Sequence, residues 1–281
     1  MGTADETQVL QCDVFSDTAL RGNGLAVVLD GAGLNDAQMM QFAIWTNQAE
    51  TTFLVPPQHA DADYGVRIFS PTREMDFAGH PTLGSCAAWL HAGGVPKVAG
   101  QVMQECAIGL VEIDLSGAVP AFVAPPTIIE KANEQEQARI AAALGLIKQD
   151  IVGSAHVDNG AAFNVIELRD AQQVLSLDAR AVSAPEFRGV AIVGKHPEGA
   201  YADYESRNLT PASLMAEDPI TGSMNAAIAV WLKSQGRLNS DIVIAQGTAI
   251  GREGRVFVSN RGDDVMIGGA TAIVIDGTVH I

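Results

Sequence analysis

Cysteine and positive charge are both scarce in this chain, and each scarcity closes off a class of protein. Among 281 residues there are three cysteines, Cys12, Cys86 and Cys106. An odd count at wide spacing supports neither a disulfide framework nor a zinc knuckle, and reduced cytoplasmic thiols are the expectation. Lys and Arg number 17 against 33 Asp and Glu, a formal charge of -16. A protein that grips nucleic acid needs a basic face, so nucleic acid is excluded as a partner. The same acidic balance repels anionic membranes, yet leaves room for a small anionic metabolite, which responds to local field alone. No apolar run approaches the ~18 residues of a membrane span. Met1 to Gln8 are polar and lack the basic-then-apolar order of a signal peptide.

Several motifs are missing as well. There is no P-loop, no GxSxG and no pair of histidines at metal spacing. Gly22-Asn23-Gly24 lacks the third glycine and the βαβ context of a dinucleotide site. The expectation is a protein that uses no cofactor and no metal. With hydrophobic residues at 47%, the chain has enough apolar surface for a real core.

Apolar patterning places strands at Val9 to Phe15, Leu25 to Leu29, Glu50 to Val55 and Tyr64 to Phe69, and a helix over Asp36 to Trp45 capped by Asn35. A meander over 102–106, 110–115 and 121–123 follows a helix that runs to about Ala92. Pro125-Pro126 is the linker candidate. Beyond it lie helices over Glu134 to Leu144, Ala171 to Leu177 and Met224 to Ser234. Strands are expected at Ala162 to Leu168, Val190 to Val193 and Tyr201 to Leu209, with four closing strands between Asp241 and Ile275.

The stretch Phe77-Ala78-Gly79-His80-Pro81-Thr82-Leu83-Gly84-Ser85 carries the most chemistry. Proline favours the first helical position, which makes His80 the expected N-cap and Pro81 the first helical residue. A helix N-terminus offers free N–H groups to an anion, and the flanking glycines permit close approach to the backbone. The stretch also has a counterpart. Tyr64-x-x-Arg67-x-x-Ser70-Pro71 matches Tyr204-x-x-Arg207-x-x-Thr210-Pro211, and Gly79-His80-Pro81-Thr82-Leu83-Gly84-Ser85 matches Glu217-Asp218-Pro219-Ile220-Thr221-Gly222-Ser223. An alanine-rich helix with Trp-Leu follows each. A repeat of that length implies two similar domains rather than a solenoid. If the halves face each other, both helix starts point into one cleft. Asp218, like His80, then reads as an N-cap and equally as a site residue. Glu50 opens a strand of Thr, Thr, Phe, Leu and Val. It is either a solvated edge carboxylate or a general base whose pKa is raised by apolar neighbours. Ser85 and Ser223 are expected in the first helical turn.

These residues resemble the PhzF-like family of phenazine-biosynthesis-type isomerases, which has a diaminopimelate-epimerase-like fold. The resemblance runs from Asp13-Val14-Phe15 and Arg21-Gly22-Asn23 through Ala49-Glu50-Thr51-Thr52-Phe53 and Phe69-Ser70-Pro71-Thr72-Arg73-Glu74. It is most specific at Phe77-Ala78-Gly79-His80-Pro81-Thr82 and Glu217-Asp218-Pro219-x-Thr221-Gly222-Ser223, and continues in Gln246-Gly247 and Gly251-Arg252. It implies an α/β (α+β) fold of two pseudo-symmetric lobes, each a strongly curved, mostly antiparallel or mixed sheet around a central helix. Their expected extents are 1–124 and 125–268, with a final strand over 269–281 returning to the first. It implies a cytoplasmic, cofactor-independent isomerase, a homodimer, acting on a small carboxylate-bearing metabolite of the dihydro-hydroxyanthranilate type. Glu50 matches the family's acid/base carboxylate, with His80 and Asp218 lining the site in place of the two cysteines of epimerase relatives. Gly79, Ser85, Gly222, Ser223 and Asn23 are the expected substrate ligands. The family often has serine before the glutamate, and Ala49 stands there instead. An epimerase or racemase of a small amino or hydroxy acid, and a non-catalytic metabolite-binding protein, are the competing readings.

Overall fold

The computed structural model describes residues 6–181, 189–210 and 216–281. Pro211 of the repeat and the polar residues 1–5 lie outside the described residues. In chain order the first elements are β1 (Glu6–Val14), β2 (Asn23–Val28), α1 (Asp36–Thr46), β3 (Thr51–Val55), β4 (Tyr64–Ser70), β5 (Arg73–Met75), α2 (Gly79–His91), β6 (Gln101–Cys106), β7 (Gly109–Asp114) and β8 (Ala121–Val123). There follow β9 (Ile128–Glu130), α3 (Glu134–Ala143), β10 (Ile151–Asp158), β11 (Ala162–Leu168), α4 (Ala171–Ser176), β12 (Val190–Lys195), β13 (Tyr204–Leu209) and β14 (Glu217–Asp218). The chain closes with α5 (Gly222–Ser234), β15 (Ile242–Gln246), β16 (Gly254–Arg261), β17 (Asp264–Gly268) and β18 (Thr271–His280). Among the described residues no helix is long and apolar enough to cross a membrane.

The chain divides into two compact units, one of Met1–Phe122 with Gly268–Ile281 and the other of Val123–Ile267. In the first, β1 pairs antiparallel with both β18 and β2. The sheet continues with β2 parallel to β3, β3 antiparallel to β4, β4 parallel to β6 and β6 antiparallel to β7. β5 folds back on β4 as a hairpin. Helix α2 packs on β1, β2, β3, β6 and β18, which makes it the unit's central helix. Nine of its residues from Gly79 to Ala88 are buried, so it is apolar nearly all round, as a helix wrapped by a sheet must be. Gly84 permits this. A Cβ there would stand 2.4 Å from Leu25 Cδ2 and 2.9 Å from Val14 Cγ2. Outside the sheet, α1 covers Val28, Phe53 and Phe69 with Met39, Phe42 and Ala43. Its start is fixed by a capping box between Asn35 and Gln38.

The second unit repeats this wiring. β10 is antiparallel to β11, β11 parallel to β12, β12 antiparallel to β13, β13 parallel to β15 and β15 antiparallel to β16. β9 flanks β10 as β18 flanks β1, and β14 folds on β13 as β5 folds on β4. Helix α4 lies over β11, β12 and β13, and α5 packs on β10 and β16. Strand β13 reads Tyr-Glu-Ser-Arg-Asn-Leu and is buried throughout. Each polar side chain finds a partner: Glu205 takes His196 and Tyr201, Ser206 takes Asn225, Arg207 takes Glu217, and Asn208 takes Thr221. Burial without those bonds would cost several kcal/mol per group, roughly 2–7 each.

Four strands escape the sequence reading, the two-residue β14 among them. β5 and β9 have only three residues each, too short to show a period. β10 reads Ile-Val-Gly-Ser-Ala-His-Val-Asp and is interrupted by Gly153 and Ser154, which masks its alternation.

Candidate active site

Helix α2 begins two residues earlier than the proline rule suggests. Ala78, in extended conformation, is the N-cap and Gly79 the first helical residue. His80 is therefore a first-turn residue and not the cap. Pro81 still falls in the first turn, where its missing N–H costs nothing. The turn closes on the Ala78 carbonyl, which accepts from both the Thr82 N–H and the Thr82 hydroxyl at 3.1 and 2.9 Å. The space expected beside Gly79 is filled from within the unit: a Cβ there would lie 2.8 Å from the tip of the Phe122 ring. Glycine serves close packing here, and only its N–H remains as a ligand.

Strand β3 brings Glu50 to this helix start. Glu50 precedes Thr51, whose side chain and that of Thr52 are fully buried, so the carboxylate is drawn inward at the strand's mouth. Its Oε2 lies 3.3 Å from His80 Nδ1, and the two side chains are 17% and 7% exposed. The angle is not that of a hydrogen bond, and Oε2 is a buried oxygen that accepts none. Burial accordingly pushes the Glu50 carboxyl up to about 7. That is the property a proton-shuttling carboxylate needs near neutral pH: ionised often enough to accept, acidic enough to return.

The other expected ligands divide. Asn23 is buried at the start of β2, opposite Val14. Ser85 lies in the second turn of α2, fully buried, and its hydroxyl donates to Thr52 Oγ1 at 2.9 Å. It anchors the helix to β3 and is not a first-turn ligand, contrary to the expectation above.

In the second unit Asp218 is not an N-cap either. It ends β14, and Thr221 caps α5, whose first residues are Gly222 and Ser223. Pro219, at a bend, and Ile220 carry the chain on to Thr221. Ile220 is fully buried and sits where any Cβ on Gly254 would strike it, 2.4 Å away. The Asp218 carboxylate accepts a short hydrogen bond from the Thr221 hydroxyl. Gly222 is buried, Ser223 is half-buried, and the Ser223 carbonyl accepts from Asn159 Nδ2 at 2.9 Å.

Asn159, Asn208, Thr221 and Gln246 were missed as participants. Each is a neutral polar residue in a strand end or turn, where the sequence offers no periodicity to mark it. The repeat and the family resemblance touch Thr221, and the resemblance alone touches Gln246. Among the described residues no cluster of three or more metal-binding side chains occurs.

Comparison with known proteins agrees with this architecture. The model of a family described as phenazine biosynthesis-like protein, PhzC-PhzF, matches residues 12–277. A Schizosaccharomyces pombe protein named antisense-enhancing sequence 1 is 33% identical, over 96% of this chain and 98% of its own. The trans-2,3-dihydro-3-hydroxyanthranilate isomerase of Pseudomonas aeruginosa is 31% identical, over 89% of each chain. A crystal structure of a PhzF-family protein from Bacillus anthracis superposes with a TM-score of 0.83 at 20% identity, covering 99% of this chain and all of the other.

Proposed function

This chain belongs to the phenazine biosynthesis-like family, and from that premise we propose that it is an isomerase that moves a proton between carbons of a small, carboxylate-bearing metabolite. The observation that carries the reading is Glu50, a carboxyl held at about 7 by burial and set against a helix start. Ionised Glu50 takes a proton from an acidic C–H. The electron pair left on carbon delocalises into the adjacent unsaturated system. The same group, now a carboxylic acid, returns the proton to the far end of that system, and the double bond shifts. Proton and electron pair both stay within substrate and enzyme, so the step balances with no redox partner. The first turn of α2 offers N–H groups to the substrate's carboxylate, worth roughly 1–2 kcal/mol in a partly buried setting. Asn23, Gly79, Gly222 and Ser223 are the proposed ligands, and Asp218 the acceptor for an amino or hydroxyl group.

The direct contact of His80 with Glu50 supports a one-base reaction. Inversion at carbon needs two groups on opposite faces, and Glu50 and His80, 3.3 Å apart, leave no room for a substrate carbon between them. His80 is thus an orienting partner for Glu50. The substrate named in the Pseudomonas relative, trans-2,3-dihydro-3-hydroxyanthranilate, is the first compound to try. A homodimer belongs to the same reading, and sedimentation at micromolar concentration tests it.

The decisive experiment incubates this compound and a panel of small unsaturated amino and hydroxy acids in D2O with wild type and Glu50→Gln. Isomerisation with deuterium gained at carbon, lost in the variant, supports the reading. Binding without any carbon–deuterium exchange would leave a metabolite-binding protein instead.

A further inference from the structure

The second unit holds a buried polar network that the reaction above does not explain. Its centre is Thr221, the N-cap of α5, and its outlet is Asp218, half-exposed at the end of β14. We propose that Gln246, Asn208 and Thr221 form a directional relay that holds the Asp218 carboxylate as a fixed hydrogen-bond acceptor. In that role Thr221 and Gln246 are positioning residues. The inference rests on the reading that Asp218 meets the substrate.

The direction follows from the donor inventory. Gln246 is fully buried, and its amide cannot be turned over. Its Oε1 accepts the Thr221 backbone N–H at 2.9 Å, and its Nε2 donates to the Asp218 backbone carbonyl at 3.1 Å. Both backbone partners would be mismatched in the flipped amide. The same Nε2 also reaches Thr221 Oγ1 at 3.2 Å. Asn208 Nδ2 donates to that hydroxyl oxygen from the other side at 3.0 Å. A threonine hydroxyl has two lone pairs and one proton. With both lone pairs occupied by amide donors, its proton has one destination, the Asp218 Oδ2.

Asn225 locks the arrangement. Its Nδ2 donates to the Thr221 carbonyl and to Gln246 Oε1 at 2.9 and 2.7 Å, while its Oδ1 accepts from Ser206. A donor aimed at a carboxylate oxygen stabilises the ionised form over the acid. The described charged side chains on the neighbouring strands are engaged elsewhere: Glu205 with His196 and Tyr201, Arg207 with Glu217. Arg252 packs its stem against Gly247, which follows Gln246.

Two consequences follow. Asp218 is an acceptor and not a second acid, so catalysis at carbon is left to one base. The substrate must also present a donor to Asp218, an ammonium or hydroxyl group, in addition to its carboxylate. Simple unsaturated mono- and dicarboxylates lacking such a group are excluded as good substrates.

The test is an NMR titration of protein labelled with 13C at the aspartate carboxyls, with Asp218→Asn used to assign the Asp218 signal. Thr221→Val removes the hydroxyl and keeps the shape. Its Asp218 midpoint is expected to rise by about one pH unit, a tenfold change in proton affinity or ~1.4 kcal/mol, and Thr221→Ser to restore it. A folded Thr221→Val protein whose Asp218 titrates as in wild type overturns the relay. Should that variant fail to fold, wild type decides alone. The relay requires a slowly exchanging Thr221 hydroxyl proton that correlates with the Asp218 carboxyl carbon, and a rapidly exchanging one refutes it. Turnover separates the two readings. If Asp218→Asn isomerises trans-2,3-dihydro-3-hydroxyanthranilate as wild type does while the Thr221→Val shift is present, the relay stands and the substrate contact falls.

Discussion

Glu50 is a carboxylate whose value as a base and whose cost to the fold have one origin, its removal from water. As a base it must be ionised, so kcat/KM is expected to rise as pH increases through about 7, and stopped-assay pH profiles would check this. Stability should run the other way. The folded-state value, about 7, lies above the reference of 4.5, so between those pH values the native chain binds more protons than the unfolded one. Stability therefore falls as pH rises through that window, by up to ~3 kcal/mol, and levels off above it. Glu50→Gln removes the buried charge. It is expected to lose roughly 10²–10⁴ in kcat while melting higher than wild type at pH 8, with little difference at pH 4. Calorimetry at both pH values checks the sign; a variant that melts lower at pH 8 would mean that the carboxylate is compensated by contacts.

At the scale of elements, helices α2 and α4 owe their placement to residues with no catalytic part. Gly84 lets α2 lie on Val14 and Leu25, both fully buried. Gly84→Ala forces those side chains aside and should cost about 1–3 kcal/mol. Because the same helix carries His80, activity is expected to fall with stability, measurable by urea titration alongside turnover. In the second unit Arg207 holds three elements at once. It donates from Nε and Nη2 to Glu217 at 3.0 and 2.6 Å, and from Nη1 to the Val174 and Leu177 carbonyls at the C-terminal end of α4. Arg207→Met would leave Glu217 buried and uncompensated, a loss of about 3–5 kcal/mol by denaturant titration. Its counterpart Arg67 makes the same kind of fork, to Glu74 and to Asp36 at the start of α1, but more exposed. Arg67→Met should cost less, within the ~0–1 kcal/mol usual for exposed pairs plus some lost packing.

At the scale of the molecule, the first unit is built from both ends of the described chain and the second from a continuous stretch. β18 pairs along the whole length of β1, from Glu6 opposite His280 to Val14 opposite Thr271. Ending the chain after Gly269 removes that strand and uncovers β1. Amide exchange in β1 and β2 is expected to accelerate sharply, while that in β11 to β13 stays close to wild type. Uniform acceleration in both units would show that the whole chain unfolds as one.

Much of this could be read from residues in order. The Tyr-x-x-Arg repeat anticipated two units of one wiring, and the pairing orders of β1 to β7 and β10 to β16 agree strand for strand. Asn35 marked the start of α1 because capping is a local interaction between neighbours. The two motifs around His80 and Asp218 were also visible, since a family signature is a property of sequence. What neighbours in sequence cannot decide is which distant group fills a space or takes a proton. Gly79 looked open and is closed by Phe122, forty-odd residues away in the chain. Ser85 looked like a ligand and bonds Thr52. His80 and Asp218 looked like matching caps, yet α2 starts at Gly79 and α5 only at Gly222, after Ile220 has packed over Gly254. Glu50 was one of two things by sequence, an edge carboxylate or a base. Its burial beside His80 removes the solvated-edge reading and is what the proposed role as base rests on, because solvation depends on everything packed around a group and that is settled only when the chain has folded.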